Sequence, residues 1–74
     1  FLVRLEPKAV IAYHNHPMEW EVHAVTSGSG HCVCGGENKA YLPGTTALMP
    51  MGIEHEVRAG ADGLTLLAFF SAAH

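Results

Sequence analysis

The chain has little of what nucleic acids, membranes or helices require. Only four residues are Lys or Arg against seven Asp or Glu, and the formal net charge is −3. That leaves no basic patch to hold a phosphate backbone, so no nucleic acid is expected as a partner. No apolar run reaches the ~18 residues of a membrane-spanning helix, and no secretory leader pattern is visible, so no membrane association is expected. No stretch places apolar residues at i, i+3, i+4 and i+7 behind a capping residue, so helix has no signal. Linkers, repeats and low-complexity tracts are missing too. Cysteine is sparse, at Cys32 and Cys34 only. Two apart on a strand, their Cβ atoms sit too far from each other for a disulfide. They are expected to be reduced thiols, in keeping with a cytoplasmic location.

Histidine is the residue in excess. The chain has six, more than its Lys and Arg together, which leans toward metal binding or proton chemistry. A hydrophobic fraction of 49% with 15% charged residues fits a folded globular chain. Its 74 residues imply one domain, 1–74. A chain of this size buries only about 60% of its unfolded surface. Pairing as a homodimer, through Phe1–Leu5 or the 64–70 strand, or a bound metal, would add what the small core lacks.

Turn signals recur at short intervals: Glu6-Pro7, His16-Pro17, Ser27-Gly28-Ser29-Gly30, Gly35-Gly36-Glu37-Asn38, Pro43-Gly44, Pro50-Met51-Gly52 and Gly60-Ala61-Asp62-Gly63. Between them lie short runs rich in Val, Thr, Leu and aromatics, which predicts an all-β sandwich or barrel. Strands are expected over 2–5, 10–14, 20–26, 30–34, 40–42, 46–49, 55–58 and 64–70. Gly28 and Gly30 are expected to supply positive φ in a hairpin turn.

His14 and His16 lie two apart. On a strand, such residues share a face and stand ~6.6–6.8 Å apart, close enough to close on one ion. Glu21, His23 and Val25 share a face of the next strand, and Glu19 has the same parity. The turn at Pro17-Met18 resets the face, so alternation does not choose between Glu19 and Glu21. Pro50 and Gly52 make a tight turn that can aim His55 at the His14–His16 pair. Three imidazoles and a carboxylate suit one divalent transition metal (Fe, Mn, Ni, Cu or Zn) rather than calcium.

The segment HNHPMEWEVHAVTSG resembles the first motif of the cupin superfamily: His14 and His16 fill its His-x-His, Glu21 follows after four residues and Gly28 after six more. Lys8 stands where that motif has its leading Gly. The segment GTTALMPMGIEHEVRA resembles the second motif, with Gly44, Pro50, Gly52 and His55 in register and Ala59 in place of the usual Asn. Fifteen residues separate Gly28 from Gly44, which is short for the family. The resemblance implies a small cupin-type β-barrel, a jelly roll of two antiparallel sheets. It implies His14, His16, Glu21 and His55 as metal ligands, and it favours Glu21 over Glu19 by the distance to Gly28.

His23 shares a face with Glu21. It reads equally as a base or orienting partner beside the metal and as a hydrogen-bonded core histidine. Glu21 and His23 are the candidate proton carriers. Cys32 and Cys34 read as small core hydrophobes, with an extra metal-binding or redox thiol as the sharper alternative. Met49 and Phe69 are expected near the cavity. Glu54 and Glu56 are expected in solvent, and His31 and His74 on the surface. The functional expectation is a metal-dependent oxygenase, lyase or isomerase acting on a small organic molecule. The alternatives are a non-catalytic sensor of a small molecule or metal, and a metal that only supports the fold.

Overall fold

A computed structural model describes residues 1–14 and 17–72, with side chains for all of these except 14 and 72. Six antiparallel strands make up the fold: β1 (Leu2–Leu5), β2 (Val10–His14), β3 (Glu19–Cys34), β4 (Glu37–Tyr41), β5 (Thr46–Met49) and β6 (His55–Ala72). Among the described residues there is no helix, and hence none long and apolar enough to cross a membrane.

Two of these strands are far longer than the turn signals predict. Ser27–Gly30 and Gly60–Gly63 are not hairpin turns: the chain bends there and continues as β3 and β6. The two bends lie against each other. Gly28 pairs with Leu64 and Gly30 with Ala59, with shifts of register beside them. A Cβ on Gly28 would lie 2.2 Å from the Gly63 carbonyl oxygen, and one on Gly30 2.2 Å from that of Arg58. The glycines therefore serve close backbone approach rather than chain reversal. Gly28 does take the expected positive φ, at 82°.

The bends divide the sheet into two layers. Residues 19–28 of β3 pair with β5 and with the second half of β6, onto which β1 adds. Residues 30–34 of β3 pair with β4 and with the first half of β6, onto which β2 adds. These are the two antiparallel sheets of a jelly roll. They are joined through the bent strands, and hydrogen bonding does not close the sheet. β4 begins at Glu37, not Ala40, because the Gly35-Gly36 loop takes only two residues of the β3–β4 hairpin.

Tyr41, Met49, Val57, Leu64, Leu66 and Cys32 fill the space between the layers, all at most 2% exposed. Each fully buried side chain of this size contributes roughly 1.5–3 kcal/mol. Cys32 packs as the small core hydrophobe expected of it. Lys8, in the place of the family's leading glycine, has φ 65°, a left-handed conformation that a glycine would adopt without strain.

Some expected positions fail. Phe69 is 55% exposed on the outer face, and its neighbour Phe70 turns inward instead. Glu56 is 8% exposed rather than solvated, because Arg58 folds back onto it. Glu54 is exposed as expected, and His31 is half-buried. His74 lies outside the described residues.

Candidate metal centre

The alternation of β3 turns Glu21 and His23 inward, at 5% and 3% exposure, while Val22 between them faces out. His55 reaches them from β6 through the expected turn. The Ile53 N–H donates to the Pro50 carbonyl at 3.2 Å. Gly52 takes φ 76° at the third position of that turn, where a type II geometry needs a positive value. The strand that follows starts at His55, which is 1% exposed.

Glu21 is the hub. Its Oε2 lies 2.5 Å from His23 Nε2 and its Oε1 3.0 Å from His55 Nε2. Glu21, not Glu19, is the carboxylate that meets the imidazoles. The remaining ring nitrogens are also engaged. His55 Nδ1 lies 3.2 Å from the Ile53 carbonyl, and His23 Nδ1 lies 2.8 Å from the Tyr41 hydroxyl. Tyr41 is fully buried and shares a side-chain hydrogen bond with Cys32.

These contacts assign the protons. A carbonyl only accepts, so His55 carries its hydrogen on Nδ1, and Nε2 presents a lone pair. His23 donates from Nε2 to Oε2, so its Nδ1 accepts from Tyr41. Glu21 Oε1 and His55 Nε2 are then two lone-pair donors facing each other across 3.0 Å in a buried space. A proton on His55 Nε2 makes the contact an ion pair, and without it the two atoms can share a cation. The donor chemistry, one imidazole nitrogen and one carboxylate oxygen, fits a borderline divalent metal.

Burial raises the Tyr41 hydroxyl pKa first, then its bond to Cys32, with the charge of Glu21 adding to both. Burial also raises the thiols of Cys32 and Cys34, and Glu21 adds to each.

The expected ligands are thus placed in part. Glu21 and His55 come together, with His23 beside them. On β2, His14 is the register partner of His55, and a β-bulge between Ile11 and His14 precedes it. The side chain of His14 and all of His16 lie outside the described residues. Among the described residues, no group of three or more His, Cys, Asp or Glu is arranged to hold a metal ion. The expected set therefore depends on His14 and His16.

A cavity of about 570 Å³ opens over Glu21 and His23, within the size range of small-molecule sites. Ile11, Val57, Leu66 and Phe70 give it apolar walls. Arg4 on β1 also lines it and has no ion pair among the described residues. Sequence reasoning did not single out Arg4 or Tyr41. Both sit on strands that reach the site only through pairing with β6 and β3, so no local spacing signals them.

Comparison with known proteins agrees with this geometry. The chain matches the Cupin domain family (Cupin_2) over residues 1–70. No curated protein matches it. A predicted oxalate decarboxylase from Thermotoga maritima superposes with TM-score 0.91 at 20% identity, over 97% of this chain and 64% of that one. TT1209 of Thermus thermophilus superposes with TM-score 0.90 at 28% identity, over 96% of this chain and 69% of that one. An oxalate decarboxylase variant from Bacillus subtilis gives TM-score 0.88 at 25% identity, over 96% of this chain but 20% of that one. The chain therefore spans under two thirds of the Thermotoga protein and a fifth of the Bacillus one. With a family match across nearly its whole length and the same strand arrangement, the chain belongs to the cupin superfamily.

Proposed function

We propose that this cupin binds one divalent transition metal through His14, His16, Glu21 and His55 and acts on a small organic molecule held in the cavity beside it. The observation that carries the reading is the buried pair of facing donors, Glu21 Oε1 and His55 Nε2, 3.0 Å apart. The register of His14 opposite His55 supports a third donor from β2. Bound there, the metal supplies Lewis acidity or, if it is iron, dioxygen activation. The other work falls to the chain. Apolar walls exclude water from the ligand. Tyr41 and Glu21 hold His23 from its two sides, and Glu21 and His23 are the groups placed to move a proton.

An oxygenase, lyase or isomerase follows if His23 exchanges its proton with a ligand. A second reading is a sensor that binds without turnover. It is favoured by one observation: both ring nitrogens of His23 are already engaged, by Tyr41 and Glu21, as in a residue that orients rather than reacts. The test is metal analysis of the purified protein and of His55→Ala, followed by a panel of small organic molecules with each metal. Loss of metal in the variant with little change in melting temperature supports the site and removes a purely structural role. Equal metal content in both proteins overturns it. Product formation, against saturable binding alone, separates enzyme from sensor.

A homodimer belongs to the same proposal. On the outer face of the first layer, Val22 is the register partner of both Leu48 and Phe69. The three are 36%, 55% and 55% exposed. A contiguous apolar strip of this kind suits a second copy of the chain. Sedimentation should give a dimer for the native protein and a monomer for Phe69→Glu. A monomer for the native protein at micromolar concentration counts against the pairing.

A further inference from the structure

A second cavity, of about 410 Å³, opens between β3, β4, β5 and the turn before β6. Its chemistry differs from that of the first. Cys32 and Cys34 line it from β3 and Met49 lines it from β5, so three sulfur-bearing residues border one space. Ile53 and Leu48 add apolar wall, and Lys39 adds a positive charge. Both cysteines are free thiols. They stand two apart on a regular stretch of β3, in register with Lys39 and Glu37 of β4, and so share one face of the strand.

This spacing is wrong for a disulfide, which needs Cβ atoms about 3.5–4.5 Å apart. It suits a bridging ion: two metal–sulfur bonds of about 2.3 Å each span up to about 4.6 Å. Two thiolates and a thioether are soft donors. They fall short of the four ligands of a closed zinc site and match what monovalent copper selects.

We propose that Cys32, Cys34 and Met49 form a copper(I) site in this second cavity, with sulfur donors distinct from the imidazoles and carboxylate that border it through the pairs Cys34–His55 and Met49–Glu21. On binding, each thiol loses its proton to solvent and forms one sulfur–copper bond. The copper stays monovalent, and the site goes from neutral to a single negative charge. Lys39 offsets that charge and already acts on Cys32 in the direction of ionisation. A thiol is protonated at neutral pH by its ordinary pKa, and each sulfur–copper bond replaces a sulfur–hydrogen bond, so binding should release two protons for each copper.

The experiment is anaerobic titration of the full chain with copper(I) alone against a competing copper(I) chelator. Proton release into weak buffer and the ultraviolet sulfur-to-copper charge-transfer band are followed together. The native chain should bind one copper, release two protons and show the band. Cys34→Ser should lose more than about 100-fold in affinity, beyond the 10–100-fold that outer-sphere partners cost. Met49→Leu should lose about 10-fold. Cys34 is only half-buried, so its substitution is the safer for folding. The double variant Cys32→Ser, Cys34→Ser should lose the band while still binding zinc. Copper bound by Cys34→Ser as tightly as by the native chain, or without the band and the two protons, places the ion on the imidazoles and overturns the proposal. Loss of zinc binding with the band and the two protons intact marks failure of the divalent reading alone, and loss of the band with zinc binding intact marks failure of the copper one.

Discussion

Glu21 and Glu56 are almost equally buried, at 5% and 8% exposure, yet they are prepared for different tasks. Glu56 is closed by Arg58, whose Nε donates at 2.6 Å and whose second nitrogen lies 3.5 Å away. Arginine keeps its charge at any ordinary pH, and this bond raises the guanidinium pKa further. The pair is therefore neutral as it stands. Glu21 is instead held by two imidazoles, each able to remain uncharged. The charge state around Glu21 therefore depends on protons that those imidazoles can gain or lose. Burial alone does not mark a carboxylate as a site; the permanence of its partner's charge decides.

Substitutions and pH can break this contrast, and the largest effect falls on the hub. Glu21→Ala strips the acceptor from His23 and the facing oxygen from His55. It should cost roughly 3 kcal/mol in urea denaturation and abolish metal retention on dialysis. The second effect is on metal affinity as the solution is acidified. Imidazoles ligate only when neutral, so retained metal should fall as pH drops through about 6.5, the ordinary imidazole value. Equal retention at pH 5 and pH 7 would contradict a set of three histidines.

Tyr41→Phe tests the support behind His23. It removes one hydrogen bond, worth about 1 kcal/mol, and should weaken metal binding about 10-fold as an outer-sphere loss. A smaller effect follows in alkali. The thiol of Cys32 is raised above the ordinary 9.0 and the phenol of Tyr41 above 10.0. The unfolded chain therefore ionises first. The stability that these groups contribute is complete below pH 9.0 and is lost as pH rises beyond it. Melting temperature against pH should show that decline, with a shallower slope in Tyr41→Phe. Glu56→Gln should do least: it disturbs a pair whose arginine side chain is half exposed, with metal content unchanged and the melting temperature close to native. A loss of metal there would erase the contrast between the two carboxylates.

Much of the site was legible because its signals are local. Parity along one strand is enough to send Glu21 and His23 inward together, and Pro50 with Gly52 is enough to start a strand at His55. Legibility ended where two strands had to be compared. The glycines at 28, 30, 60 and 63 read as chain reversals because glycine is equally at home in a turn and in a tight crossing of strands. Glu56 read as solvated because nothing local shows Arg58 folding back upon it. Phe69 and Phe70 exchanged roles because the face of a strand depends on the register set by its partners.

The sequence by itself determined the all-β class, the inward pairing of Glu21 with His23, and the two motifs that identify a cupin. Each follows from spacing along one segment or from the order of a few fixed residues. Only the tertiary structure decided that Tyr41 stands behind His23, that Arg4 borders the first cavity and that Cys32, Cys34 and Met49 line another. Tyr41 stands 18 positions from His23, and Met49 stands 15 from Cys34, each on another strand. Pairing register and the bends at the glycines, not sequence distance, bring them together.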